Sequence, residues 1–150
     1  MEAARGFRRG DAVIATLTRE TRTSGQGDVR DITAVVAEAV ARSGATAGVA
    51  TIFVTGSTAG VTTIEFEPGC VADLDRAFES IAPRAGEYQH HLRWGDDNGS
   101  SHVRAAMLGP SLSVPFAGGA LLTGTWQQIV LVEFDTRRRT RPFVIQVVGE

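Results

Sequence analysis

The spacing of apolar side chains predicts three helices. In DITAVVAEAVARSG the apolar residues fall on one helical stripe, with Asp31 placed as the N-cap and Gly44 just past the end. The same spacing over CVADLDRAFESIAP predicts a second helix that Pro83 closes. A third, short helix is predicted over HVRAAMLG, residues 102–109.

Runs rich in β-branched residues and bounded by glycine predict the strands. Residues 11–17 suit an early strand followed by a polar loop over 18–30, and residues 46–55 and 60–67 suit two more. Four further β segments, SLSVPF, GALLTG, QQIVLVEFD and RPFVIQVVG, fill the C-terminal half. The pattern predicts an α+β fold: a mostly antiparallel sheet or sandwich with two longer helices and one short helix.

Length and composition favour one domain over residues 1–150, with residues 1–10 expected to be disordered. A single cysteine, Cys70, excludes an intrachain disulfide. No apolar run is long enough to span a membrane, and MEAARGFRRG lacks the apolar centre of a signal peptide. We therefore expect a cytoplasmic protein with no membrane partner.

The charge of the chain argues against a polyanionic partner. The formal net charge is -2, so nucleic acid is not expected to bind. All 15 basic residues are arginine, so no lysine is available to form a Schiff base or to serve in a phosphate-binding loop. Arginine can still bind a carboxylate or a phosphate through two parallel N–H donors. The run RRRTR is interpreted as a solvated hairpin, with an anion or RNA site as the alternative.

All three histidines lie within one polar loop. His90, His91 and His102 fall inside thirteen residues and alternate with Asp96, Asp97 and Asn98. Imidazole and carboxylate are ligands for zinc, and carboxylate with amide suits magnesium. A metal or phosphate site is one hypothesis, and a solvated loop is the other. On an extended segment, His90 and His91 would point to opposite faces, so only one would enter a site.

The start of the third helix offers a second candidate site. If Gly99, Ser100 and Ser101 precede a helix that begins near His102, its free N–H groups and the two hydroxyls form a cradle for an anion. The alternative is that Ser100 or Ser101 is an ordinary N-cap of the helix and binds no ligand.

Two turns carry the remaining polar candidates. The Gly-Ser-Thr turn at 56–58 offers hydroxyls, and Glu65 follows inside an apolar run, where it could also simply face water. Trp126 and Gln127 stand at a strand entrance. The tryptophan is typical of a packing anchor, whereas the amide of Gln127 could contact a substrate ring.

Several segments together resemble the YjbQ family, small uncharacterised proteins also called secondary thiamine-phosphate synthases. The matching letters include GSTAGVTTIE, YQH, DDNGSSH running into VRAAMLG, GALLTGTWQQIVLVEFD and RPFVIQVVGE. The similarity spans roughly residues 12–150. It implies a compact α+β fold, a homotrimer, and a weak ability to join hydroxymethylpyrimidine pyrophosphate to thiazole phosphate.

The resemblance places the family's polar cluster on His90, Asn98, His102 and Gln127, with Glu65, and the clustering of polar residues along the chain adds the other candidates. The catalytic set is His90, His102 and Gln127, and a divalent metal, Mg or Zn, would be held by His90, His102, Glu65 and Asp97, with no organic cofactor. Phosphorylated substrate would contact Ser57, Thr58, Asn98, Ser100, Arg104 and Trp126. The family's His-Thr-Thr-Ala motif reads Gly56, Ser57, Thr58 and Ala59 here, so one imidazole is missing.

Two other classes of function compete with the synthase. The same pocket could bind a small phosphorylated metabolite or a metal without catalysis, or the protein could be a structural trimer whose histidines seal subunit contacts. Product formation from the two precursors separates an enzyme from a binding module. A melting temperature that no ligand raises would favour the structural trimer.

Overall fold

The computed structural model describes residues 12–150 and contains two antiparallel sheets with four helices. The strands are β1 (Val13–Thr23), β2 (Val29–Asp31), β3 (Ala47–Val54), β4 (Ala59–Ile64), β5 (Ser111–Ala117), β6 (Ala120–Leu121), β7 (Gln128–Glu133) and β8 (Arg139–Gly149). The helices are α1 (Thr33–Ser43), α2 (Pro68–Ile81), α3 (Gln89–Trp94) and α4 (Gly99–Leu108). The predicted α+β class is confirmed. The expected disorder of residues 1–10 lies outside the described residues.

The larger sheet has the strand order β1-β8-β3-β5-β6. Strand β1 continues to Thr23 and pairs with β8 from end to end, so the predicted loop over 18–30 is wrong in its first part. Polar residues hide this strand in the sequence because every second side chain, such as Thr18 and Glu20, is exposed on the outer face.

The smaller sheet has the order β2-β7-β4, and its central strand β7 is buried on both faces. From its central strand β7, Ile129 and Leu131 join the main core with the inner face of the larger sheet and α1. The alternate residue Val132 packs in a second core with Phe78 of α2 and Ala105 of α4. Helices α2 and α4 therefore cover this sheet, and α4 is fixed against β4.

Helix α1 forms largely as the sequence predicts. Its first helical residue is Thr33, whose N–H donates to the Asp31 carboxylate at 2.9 Å, although Ile32 occupies the N-cap position. Gly44 ends the helix with a φ of 75°, in the left-handed region that glycine tolerates best.

The other helices depart from the prediction. Helix α2 begins at Pro68, because the Glu67 carboxylate caps it by accepting from the N–H groups of Gly69 and Cys70. Helix α4 is longer than predicted and begins at Gly99. The six-residue helix α3 was not predicted; it has no buried residue, so no apolar stripe marks it in the sequence.

The outer face of the larger sheet is uncovered within the described chain. Ile14 is 70% exposed, and strand register places it beside Val148 and then Val49, which are 48% and 40% exposed. These three side chains form a continuous apolar row, called the outer row below. Separately, no helix within residues 12–150 is long and apolar enough to cross a membrane.

Candidate functional site

A cavity of about 220 Å³ lies between α4 and the turn that joins β3 to β4. Gly56 and Ser57 line it from the turn, and His102 lines it from α4. The close approach of α4 depends on Gly60 in β4, because a Cβ there would lie 2.8 Å from the carbonyl oxygen of Gly109. We call this space the His102 cavity.

His90 is the neighbour of His102. Their ring centroids are 4.5 Å apart, and His90 Nε2 lies 3.5 Å from Asp96 Oδ1. His91 contacts the first residue of α4 instead: its Nε2 accepts a hydrogen bond from Gly99 N at 3.1 Å. The two adjacent histidines lie on helix α3 rather than on an extended segment, and both contact the first turn of α4, His90 at His102 and His91 at Gly99.

The first turn of α4 is less open to an anion than the sequence predicts. The N–H of Gly99 is taken by His91, and those of Ser101 and His102 donate to the Asn98 carbonyl at 3.0 and 3.3 Å. Asn98 holds the N-cap position, which corrects the assignment to Ser100 or Ser101. Ser100 Oγ, Ser101 Oγ and Asn98 Oδ1 are buried without a hydrogen-bond partner in the described structure.

Arg104 is turned away from the candidate ligand site and into the protein. It is fully buried, its Nε donates to the Ala82 carbonyl at 2.8 Å, and its Nη2 donates to Glu79 at 2.6 Å. The hydrogen bond from Arg104, together with that from the Arg84 N–H, lowers the pKa of Glu79. These contacts fix α4 to the end of α2, which is a structural role.

A buried ionic network lies beside the cavity, and the sequence did not reveal it. Arg141 Nε and Nη2 each donate to the fully buried Glu133 at 2.6 Å. Arg141 Nη2 also donates to Thr58 Oγ1 at 2.6 Å. The hydroxyl of Thr58 is thus engaged in the network and does not line the cavity, whereas Ser57 does.

Asp135 and Arg139 extend this network. Burial raises the pKa of Asp135, but hydrogen bonds from Arg139 and from the Thr136 N–H outweigh burial, so the pKa lies below its ordinary value of 3.8. Thr23 donates to Glu133 at 2.8 Å and so connects β1 to the same cluster. The run RRRTR is therefore not a hairpin: it crosses from the smaller sheet to the larger one, with Arg141 buried.

Gly56 brings the network into contact with the cavity wall. A Cβ at Gly56 would lie 3.1 Å from Arg141 Nη1. This nitrogen donates to no acceptor among the described residues. Because Gly56 has no side chain where the family resemblance expects an imidazole, the Nη1 edge of Arg141 lies directly behind the wall of the cavity.

Glu65, Trp126 and Gln127 lie far from the His102 cavity within one chain. Strand β4 begins at the cavity with Ala59, and six residues at about 3.3 Å each place Glu65 about 20 Å further on. Gln127 is at that same end, where its side chain donates to Thr63 Oγ1 at 3.1 Å. Trp126 is 71% exposed.

Residues 12–150 of a single chain do not form a complete metal site. Over residues 12–150, no three histidine, cysteine, aspartate or glutamate side chains are placed to hold an ion together. Asp97 is exposed and Glu65 lies at the far end of β4, so the expected ligand set is reduced to His90 and His102. The roles predicted for these residues stay predictions.

The comparisons with known proteins agree with this fold. A family model described as UPF0047 protein YjbQ-like matches residues 17–150, and the chain belongs to this family. It is 32% identical to the UPF0047 protein YugU of Bacillus subtilis over 133 residues, which are 88% of this chain and 98% of YugU. A UPF0047 protein of Methanothermobacter thermautotrophicus is 34% identical over 120 residues, 80% of this chain and 82% of that protein.

A solved structure supports the same assignment. The crystal structure of an uncharacterized conserved protein of the YjbQ/UPF0047 family from Clostridium acetobutylicum matches with a TM-score of 0.78 and 31% identity, covering 87% of this chain and 98% of that one. The names of these relatives state the family and no activity. The chemistry therefore has to be argued from the site.

Proposed function

We propose that the His102 cavity binds the phosphoryl group of a small phosphorylated metabolite, and that the protein is a weak thiamine-phosphate synthase. One observation carries this proposal: His102 and Ser57 line one small cavity, and the guanidinium of Arg141 stands behind its Gly56 wall. An imidazole, a hydroxyl and the N–H edge of a guanidinium beside a concave space are groups that favour a phosphoryl oxygen.

The proposed reaction makes one bond and breaks one. The thiazole ring nitrogen attacks the methylene carbon of hydroxymethylpyrimidine pyrophosphate, forming a C–N bond, while the C–O bond breaks and its electron pair leaves with pyrophosphate. His102 donates a hydrogen bond to the departing oxygens, and the Nη1 edge of Arg141, whose other donors bind Glu133 and Thr58, lies behind the Gly56 wall beside them. His90 orients the His102 ring by packing against it at 4.5 Å.

A non-catalytic binding module is the second candidate. The observation that favours it is Gly56, which stands where the family resemblance expects an imidazole, so this chain has one catalytic or metal-binding side chain fewer. The expected Mg or Zn remains a hypothesis that needs donors from a second chain. The absence of an organic cofactor and the cytoplasmic location also stay expectations.

We also propose that the protein is a homotrimer in which a second copy covers the outer row. Three neighbouring apolar side chains that are 40% to 70% exposed support this, because an apolar strip on a sheet face loses contact with water when another subunit packs on it. Assembly would also allow Gln127 and Trp126 of one copy to approach the His102 cavity of the next.

The direct test is to mix the protein with Mg²⁺ and both precursors and to measure thiamine phosphate by mass spectrometry. The synthase proposal expects product from the unchanged protein and its loss in His102→Ala. Val103→Ala is the matched control, since Val103 is the next residue of α4 and is 40% exposed. Tight precursor binding without product would select the binding module, and product at full rate from His102→Ala would contradict the synthase.

A further inference from the structure

A second, larger cavity lies apart from the His102 cavity. Its volume is about 490 Å³, and four arginines contribute to its lining together with Thr23, Ser24 and Thr140: Arg22, Arg30, Arg138 and Arg139. The residues come from the end of β1, from β2 and from the crossing between β7 and β8. We call it the arginine cleft.

Two of the four guanidiniums are held in place by carboxylates. Asp28 accepts from Arg30 Nε at 2.9 Å and from Nη2 at 2.7 Å, and Asp135 accepts from Arg139 Nε at 2.6 Å. Arg30 and Arg139 keep 42% and 37% of their side chains exposed. Each is therefore fixed on one side and retains donors that can reach a ligand.

The other two guanidiniums have no carboxylate partner among residues 12–150. Arg22 stands on β1 opposite Thr140, and Arg138 lies in the turn just before β8. Both residues are exposed. Four positive and two negative side chains leave the cleft with a local charge of about +2 at neutral pH.

This concentration of charge contrasts with the rest of the molecule. The whole chain has a formal net charge of -2, so the cleft is not part of a generally basic surface. Like charges gathered in a concave space repel one another, and a bound anion removes that repulsion. Guanidinium groups suit phosphate oxygens in particular because they offer parallel N–H donors.

We propose that the arginine cleft binds a compact multivalent anion, the diphosphate or triphosphate group of a small metabolite. A compact ligand fits better than RNA, because the arginines surround one cavity rather than following a groove and the chain as a whole is acidic. The proposal does not depend on synthase activity, since this cleft and the His102 cavity share no lining residue.

Calorimetric titration of the full chain with inorganic triphosphate in Mg²⁺-free buffer tests the proposal. We expect saturable binding that weakens with added salt and falls at least about tenfold in R22Q/R138Q. Both arginines are exposed and free of ion pairs in the described structure, so the variant should keep its fold; circular dichroism checks this. The single variants R22Q and R138Q should each show part of the loss.

One control variant shows whether triphosphate binds in this cleft. Arg76→Gln removes an exposed arginine of α2 outside the cleft and should leave triphosphate binding unchanged. The proposal is overturned if the unchanged protein does not bind triphosphate or if R22Q/R138Q binds it equally well. It is also overturned if a single-stranded RNA oligomer displaces triphosphate at a far lower concentration, which would indicate a nucleic-acid site.

Discussion

Arg141 binds the fully buried Glu133 through two hydrogen bonds of 2.6 Å, and this pair joins the two sheets. Arg141 belongs to β8 of the larger sheet, and Glu133 ends β7 of the smaller one. Thr58 accepts from the same guanidinium, so the turn that forms the cavity wall is tied to the junction. The stability of the fold and the shape of the His102 cavity therefore depend on one ion pair.

Arg141→Met should lower the free energy of unfolding by about 3–5 kcal/mol, because it leaves Glu133 charged and buried without its partner. Urea denaturation measures this. Arg76→Met is the control: Arg76 and Asp73 form a pair whose side chains are 77% and 65% exposed, and its loss should change stability by about 0.5 kcal/mol or less. A loss below about 1 kcal/mol in Arg141→Met would contradict the role given to the pair.

Asp135 should make the protein acid-sensitive. Its pKa in the folded state lies below the ordinary 3.8, so as the pH falls the unfolded chain takes up a proton before the folded one does. The stabilisation is present above the ordinary pKa and is lost as the pH falls toward the folded pKa.

Urea unfolding at about pH 5 and about pH 3 measures this effect, because the two values bracket the start of protonation. Asp135→Asn should be less stable than the unchanged protein at the higher pH and should lose less stability between the two. An equal loss in both proteins would show that Asp135 does not contribute.

Gly56→His should create affinity for zinc. The φ of Gly56 lies outside the left-handed region, and the only described atom within 4 Å of a Cβ there is Arg141 Nη1. The new imidazole would share the cavity with His102, and His90 lies against that ring. We expect at least about tenfold tighter Zn²⁺ binding, measured by competition with a coloured chelator.

Gly124→His is the matched control for Gly56→His. A Cβ at Gly124 meets only ordinary contacts at 3.8 Å, from Gln127, so the control adds the same side chain without strain. Gln127 lies at the end of the sheet far from the cavity. Equal zinc affinity in both variants would mean that an added histidine binds zinc wherever it stands, and the cavity would have no special part.

The outer row should control assembly. Val49→Arg places a charge on an exposed strand position and should leave the folded chain intact while preventing a second copy from packing there. Sedimentation equilibrium should give about three times the chain mass of 15.9 kDa for the unchanged protein and one chain mass for the variant. Ala72→Arg, on an exposed position of α2, should remain a trimer.

The sequence predicts elements whose apolar pattern is complete and misses those that depend on distant contacts. Helix α1 is predicted well because its apolar stripe and Gly44 agree with the structure, although Ile32 rather than Asp31 holds the N-cap position. The second half of β1 is missed because its polar outer residues conceal a pairing with β8, more than a hundred residues away. The Arg141–Glu133 pair is missed for the same reason: nothing local shows that an arginine in a basic run is buried.

The candidate site was predicted only in part. Clustering along the chain correctly indicates that His90 and His102 are neighbours, because short helices bring nearby residues together. Gln127 and Glu65 are candidates both from their turn and strand positions and from the family resemblance, and in one chain they occupy the other end of β4. Only a second subunit could bring these two residues to the cavity, and the sequence pattern of one chain contains no information on the distances between subunits.

The most direct test of the central claim is calorimetric binding of thiazole phosphate to three proteins: the unchanged chain, His102→Ala and Val103→Ala. If the His102 cavity holds the phosphoryl group, His102→Ala binds at least about tenfold more weakly, which is about 1.4 kcal/mol, and Val103→Ala binds as the unchanged chain does. Equal affinity in all three proteins, or no binding by the unchanged chain, would contradict the claim.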